Sequence, residues 1–199
     1  MIKPKELEEQ INIYLRKKSG LNQHRSYLGM SQIGRCPHQV YAGFVAGVDM
    51  SDFHHRMAYT GYMHEFDVLQ RLREMGIAQL DRREVVADFD DRLRGHIDGL
   101  TNWGDLLEIK SVTKSKYELI CQQSRALHEH YDQVQMCMRY GGWRYCWFIY
   151  VNRETFEHKV IRVAYDAEKA TRLEEKARQI LAAIDARHEP GCECGKCKV

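Results

Sequence analysis

The stretch Gly95–Gly99, with the sequence GHIDG, is followed after a short polar link by Leu106–Lys110, with the sequence LLEIK. These two stretches determine the predicted fold. The link contains Asn102 and Gly104, residues that tolerate positive φ, so the two stretches are predicted to form two short strands around a turn. Because side chains alternate along a strand, the carboxylate and the amine of the second stretch point to one face and its central apolar residues to the other.

The register of the two strands decides which side chains meet. If Leu100 pairs with Leu106, Asp98 lies opposite Glu108. Two facing carboxylates are destabilising unless a positive group lies between them, which a divalent cation would supply, with Lys110 beside it on the same face. The pattern indicates a metal-dependent hydrolytic centre. The alternative is a surface hairpin that carries a Glu–Lys pair on its solvent-exposed face.

Cleavage of a phosphodiester needs a nucleophilic water and relief of charge at phosphorus, and Mg²⁺ or Mn²⁺ held by carboxylates supplies both. Asp98 and Glu108 are the predicted ligands, and the backbone carbonyl of Ile109 is a third candidate. Lys110 would orient the water and stabilise the negative charge that develops during the reaction.

Composition describes an ordinary globular protein. The chain has 199 residues, 44% hydrophobic and 29% charged, with a net charge of +2, so we expect a single domain over 1–199 and a nucleic-acid surface confined to a local basic face. No apolar run approaches the roughly 20 residues that span a bilayer, and the N-terminus has no signal-peptide core. We therefore expect a cytoplasmic protein without a membrane partner.

Periodicity predicts an α/β fold with a mixed central β-sheet flanked by helices. Gly20 is expected to end the first helix, Ser124 to separate two helices, and Asp166 to open the last one. The predicted helices are 4–18, 37–46, 53–75, two within 114–140, and one from 166 onward. The predicted strands are 84–89, 93–100, 106–112, 143–151 and 156–163.

Seven cysteines are present, and Cys192, Cys194 and Cys197 fall within the last eight residues. In a reducing compartment, clustered cysteines indicate metal binding more than disulfides. A fourth ligand would complete a site for zinc or for an iron–sulfur cluster, and the spacing does not choose between them. The remaining cysteines inside predicted elements, Cys121, Cys137 and Cys146, are expected to be small core residues.

GHIDG followed by LEIKS resembles the core of the PD-(D/E)XK nuclease superfamily, with its restriction-endonuclease-like fold, and most of all the RecB-like branch. That branch carries a metal-binding histidine in a Gly-x-x-His-Glu context, which Gly61–Glu65 matches, so the resemblance implies His64 as a ligand. It also has a later helix that presents a glutamine to the active site. Tyr131–Gln135 matches this helix, is similar as well to lambda-type phage exonucleases, and implies a role for Gln133; Cys137 replaces the usual tyrosine four residues on.

Gly34–Tyr41 resembles the N-terminal cysteine segment of iron–sulfur RecB-like nucleases, which include the CRISPR-associated Cas-four type and the nuclease domain of AddB. The resemblance implies a [4Fe–4S] cluster that joins segments 31–52 and 188–199. The family's late cysteines are more widely spaced than these, and zinc, with His38 or His188 as substitute ligands, is the alternative. The implied cluster ligands are Cys36, Cys192, Cys194 and Cys197.

The resemblance therefore implies a metal-dependent DNA exonuclease that acts on single strands or DNA ends, in a bacterial, archaeal or phage-infected cytosol. The implied settings are DNA recombination or repair, phage DNA metabolism and CRISPR adaptation, with recombination or CRISPR adaptation proteins as partners. The alternative is a non-catalytic nucleic-acid-binding protein with a structural zinc site. Tyr117 and Trp103 are candidates for stacking on a base.

Overall fold

The computed structural model describes residues 3–19, 26–47, 50–79, 83–192, 194–195 and 197, so Gly20 lies outside the described residues. The helices are α1 (Pro4–Ser19), α2 (Pro37–Ala46), α3 (Asp52–Glu74), α4 (Lys114–Gln123), α5 (His128–Gly141) and α6 (Ala167–Asp185), with a short 3-10 helix at Met30–Gln32. The strands are β1 (Leu28–Gly29), β2 (Ala78–Gln79), β3 (Glu84–Val86), β4 (Leu93–His96), β5 (Gly99–Thr101), β6 (Leu106–Val112), β7 (Tyr145–Asn152) and β8 (His158–Ala164).

The larger sheet has five strands in the order β2-β5-β6-β7-β8. Strands β6 and β7 run parallel, and the other neighbours are antiparallel, so the sheet is mixed. A smaller sheet has the order β1-β4-β3. The prediction of a mixed α/β fold flanked by helices is confirmed.

Helices cover both faces of the larger sheet, and alternation along β6 decides which residues meet each layer. Leu107 and Ile109 join Val68 and Leu69 of α3 in one apolar cluster. Leu106 belongs to the larger cluster, to which α5 and α6 also contribute. The central strand is thus buried on both sides, which places its polar residues inside the protein.

The prediction of one strand over 93–100 is wrong. The chain leaves the smaller sheet after β4 and enters the larger one at β5, with Ile97 and Asp98 between them. Close packing requires a glycine on each side of this crossing. A Cβ atom at Gly95 would lie 2.8 Å from the Met30 sulfur, and one at Gly99 would lie 3.1 Å from the Gln79 carbonyl oxygen.

Two predictions made from local sequence are confirmed: the break between helices at Ser124 and the start of the last helix at Asp166. Ser124 adopts a left-handed conformation, with φ of 49°, and separates α4 from α5. Asp166 caps α6, and its carboxylate accepts a hydrogen bond from the Lys169 amide at 2.9 Å. Cys121, however, is exposed, so its assignment to the core is wrong, whereas Cys137 and Cys146 are buried as expected.

None of the helices in the described ranges combines the length and the apolar character needed to cross a membrane.

Candidate functional site

The predicted register is present at the centre of the larger sheet. Leu100 pairs with Leu106, and Gly99 pairs with Leu107. Beyond this pairing, the Asp98 carboxylate accepts a hydrogen bond from the Ile109 amide at 2.6 Å. The crossing between the two sheets therefore brings Asp98 beside the middle of β6, where Glu108 lies.

Glu108 is only 1% exposed, so the alternative of a hairpin with a solvent-exposed Glu–Lys pair is wrong. One carboxylate oxygen, Oε1, accepts hydrogen bonds from Lys110 Nζ at 2.5 Å and from Gln133 Nε2 at 2.8 Å. The other, Oε2, is buried and has no hydrogen-bond partner within the described part of the chain. A buried carboxylate oxygen without a partner is costly, and a cation is a ligand that would satisfy it.

The site combines two acids with one fixed positive charge. Burial, and then the negative charge of Glu108, raise the pKa of Asp98 well above its ordinary value. Burial by itself would lower the pKa of Lys110, but Glu108 and Asp98 outweigh it, and the pKa of Lys110 ends above its ordinary value. Lys110 is therefore charged at neutral pH, and without a bound cation the folded protein favours the protonated form of Asp98.

His64 lies on α3 beside β6. Its Nδ1 atom is 2.7 Å from the Ser111 hydroxyl, which also accepts a hydrogen bond from Arg153 Nε at 3.0 Å. Burial, followed by the charge of Arg153, lowers the pKa of His64, which keeps the imidazole neutral at pH 7. With Nδ1 bound to Ser111, Nε2 is the nitrogen that a metal ion would use.

Several neighbours of the site were not identified from the sequence. Glu65 directly follows His64 in the Gly-x-x-His-Glu motif, and its charge raises the pKa of both Asp98 and Lys110. His130 stacks on Tyr150, and its burial together with the charge of Lys110 lowers its pKa to about 3. The motif could have indicated Glu65, whereas no local pattern marks His130.

The four cysteines implied as cluster ligands lie together. The sulfur atoms of Cys36, Cys192, Cys194 and Cys197 are all within 4.8 Å of one another. Successive sulfurs are separated by 3.6, 3.4 and 3.7 Å, from Cys192 through Cys194 and Cys197 to Cys36. This arrangement can bind a metal, because four thiolates converging on one point form a soft-metal site.

The substitute ligands considered for zinc are not part of this group. His38 Nε2 instead contacts Glu189 at 3.0 Å, which gives α2 a second link to the C-terminal segment. Among the described residues, the four thiols are the one set of potential ligand atoms gathered so tightly. His64, Asp98 and Glu108 do not form such a group: His64 contacts Ser111, whereas Lys110 contacts Glu108.

The comparisons with solved structures agree with the described fold. The structure of LHK-Exo in complex with dAMP superposes with a TM-score of 0.66 at 16% identity, covering 85% of this chain and 93% of that one. A second structure of this alkaline exonuclease, from Laribacter hongkongensis, gives the same TM-score at 14% identity. A protein named SSO0001 superposes with a TM-score of 0.60 at 18% identity, covering 94% of this chain and 93% of its own.

At these identities the likeness establishes a shared fold: a mixed sheet flanked by helices, as in an alkaline exonuclease. No protein-family model matches the sequence, and no curated protein matches it.

Proposed function

We propose that this protein is a metal-dependent DNA exonuclease of the RecB-like PD-(D/E)XK type that acts on single strands or DNA ends. The observation that carries the proposal is the pairing of the half-buried Asp98 with the buried Glu108, with Lys110 at 2.5 Å from Glu108, on a fold shared with an alkaline exonuclease. Such a pair is unfavourable for stability alone, since buried like charges raise the free energy of the folded state.

A divalent cation fits this site by its donor chemistry. Asp98, Glu108 and His64 would hold it together with the Ile109 carbonyl, and the unsatisfied Glu108 oxygen supports this ligand set. When bound, Mg²⁺ or Mn²⁺ supplies positive charge for the scissile phosphate and lowers the pKa of the attacking water.

The protein's own groups do the remaining work. Lys110 stays protonated, so its ammonium group stabilises the charge that builds up on the phosphate oxygens and orients the water. Gln133 donates to Glu108 from α5 and fixes the orientation of that carboxylate. Asp98 is positioned by its bond to the Ile109 amide, so each acid is held by a neighbouring element before substrate binds.

For the four thiols we propose a [4Fe–4S] cluster, as the resemblance to the Cas-four and AddB types implies, with a four-thiolate zinc site as the alternative. Either metal would join the start of α2 to the C-terminal tail. The proposed setting is DNA recombination or repair, phage DNA metabolism or CRISPR adaptation, in the cytosol, with proteins of those processes as partners.

The direct test uses DNA labelled at the 5′ or the 3′ end, single- or double-stranded, incubated with Mn²⁺ or Mg²⁺. We expect the wild-type protein to release short products from an end, and Asp98→Ala and Lys110→Ala each to reduce the rate at least about a hundredfold. If the wild type does not cleave in the presence of metal, or if both variants cleave at the wild-type rate, the nuclease proposal is wrong and a non-catalytic binding protein is favoured.

A second prediction concerns the support of His64. Ser111→Ala is expected to weaken Mn²⁺ binding at least about tenfold, because the imidazole loses the hydroxyl that fixes its orientation. Titration calorimetry measures the affinity. Ser115→Ala is the matched control, since that serine is exposed and its hydroxyl lies 3.3 Å from the Thr113 hydroxyl. Equal Mn²⁺ affinity in the two variants would show that Ser111 does not position a metal ligand.

A further inference from the structure

Phe156 has a conformation that is unfavourable for a phenylalanine. It lies in the turn between β7 and β8, has φ of 60°, and leaves 56% of its surface exposed. The left-handed region is costly for a residue with a Cβ atom, and glycine or asparagine normally occupies it in such turns. An exposed aromatic ring adds an unfavourable contact with water. The left-handed backbone belongs to the turn, but the turn does not require an aromatic side chain at this position.

The turn holds Phe156 firmly. The Phe156 amide donates to the Asn152 carbonyl at 2.8 Å, and the Asn152 amide donates to the Glu157 carbonyl at 2.9 Å. The Asn152 side chain accepts a further bond from the Glu154 amide at 3.0 Å. These bonds determine where the ring is presented, so the strained conformation is a fixed feature of the fold.

The ring packs against His64, the candidate metal ligand on α3. Its centroid lies 5.2 Å from that of the His64 imidazole, with the ring planes at 87°. In the same turn, Arg153 donates from Nη2 to the Ser111 carbonyl at 2.7 Å and from Nε to its hydroxyl. The hydroxyl in turn contacts His64, so the turn, β6 and α3 are tied together beside the candidate ligand.

We infer that Phe156 forms a nucleobase subsite, on which the base of a terminal, unpaired nucleotide stacks while the adjoining phosphate lies at the Lys110 ammonium group. This inference rests on the proposed nuclease function. An aromatic ring stacks on any base, because every base has a π-face, so the subsite would be tolerant of sequence. A base inside a duplex is already stacked and paired, so the subsite would favour single strands and frayed ends.

Other aromatic residues fit this role less well. Tyr117 is 8% exposed, so the earlier expectation that it stacks on a base is wrong. Trp103 is exposed but packs edge-on against Trp147 and donates to Asp105, at the turn between β5 and β6. Phe156 is both exposed and in ring contact with His64.

The test measures binding of single strands that carry a fluorescent adenine analogue at the 5′ or the 3′ terminus, in protein freed of divalent ions so that no cleavage occurs. Stacking on the ring quenches the analogue. We expect Phe156→Gly to lose the quenching at one terminus and to bind about tenfold more weakly, whereas Phe156→Tyr retains both properties. With an abasic terminal nucleotide, wild type and Phe156→Gly should bind equally.

Phe53→Ala is the matched control, because Phe53 is 59% exposed and also packs edge-on against a histidine, His54, away from the site. It should bind as the wild type does. Glycine suits the left-handed position, so the melting temperature of Phe156→Gly should stay within about 3 °C of the wild type. Unchanged quenching and affinity in Phe156→Gly would overturn the subsite.

The outcome is separable from the proposed function. Quenching that depends on Phe156 supports the base subsite, even when Mn²⁺ added to the same protein produces no cleavage and the nuclease proposal fails. Cleavage by wild type and by Phe156→Gly at the same rate, together with unchanged quenching, keeps the nuclease and removes the subsite.

Discussion

Asp98→Asn is expected to abolish DNA cleavage and, at the same time, to stabilise the protein when no divalent ion is bound. The rate should fall at least about 10³-fold, because the ligand that balances the metal charge is lost. The folded state should become more stable, because the amide keeps an oxygen that can accept the hydrogen bond from Ile109 but carries no charge beside Glu108. Opposite effects on activity and stability distinguish a functional carboxylate from a structural one.

The raised pKa of Asp98 determines whether the stability of the wild type rises or falls with pH. The pKa of Asp98 is raised in the folded protein, so its contribution to stability is present at acid pH and is lost as the pH rises through the folded-state pKa. In thermal unfolding of ion-free protein, the melting temperature of the wild type should therefore drop relative to that of Asp98→Asn as the pH rises towards neutrality. Asp91→Asn is the control, since Asp91 is largely exposed. Parallel pH profiles for wild type and Asp98→Asn would contradict the prediction.

Cys36→Ser is expected to remove the metal and a large part of the stability together. Cys36 and Cys197 are 161 residues apart, so a metal bound by both would close most of the chain into one loop and restrict the unfolded state. Losing several kcal/mol of metal-coupled folding energy should lower the melting temperature by about 10 °C or more. Cys121→Ser, which replaces an exposed cysteine outside the four-thiol group, should have little effect.

The same purification identifies the metal. Wild-type protein prepared without oxygen should be brown, with a broad absorbance near ~400 nm, and Cys36→Ser should be colourless. One equivalent of zinc in a colourless wild type would replace the iron–sulfur assignment with a zinc site. A metal-free wild type with the same melting temperature as Cys36→Ser would show that the thiols bind no metal.

Features governed by local chemistry could be predicted from the sequence. The pairing of Leu100 with Leu106 follows from alternation and a turn of suitable length, and this register alone brings Asp98 to Glu108. The break at Ser124 and the cap at Asp166 likewise depend on residues within a few positions. The predicted role of each site residue remains a prediction for the experiments above.

Features governed by distant contacts could not be predicted. The alternating pattern runs unbroken through Leu93–Leu100, and the crossing between the two sheets is set by neighbours such as Met30 and Leu69. The support of His64 by Ser111 joins residues 47 positions apart, and neither segment carries a pattern that predicts this contact. Strands β1 and β2 have two residues each and are defined only by their pairing with β4 and β5.

Cys137 is closely packed beneath the crossing between the two sheets, and this packing limits which side chains can replace it. Its sulfur is buried 3.9 Å from that of Met30, and a Cβ atom at Gly95 would lie 3.0 Å from it. A tyrosine at position 137 would need volume that the packing of these three residues already fills. The identities of residues 30, 95 and 137 are therefore interdependent. A tyrosine at position 137 would need coordinated substitutions at the other two.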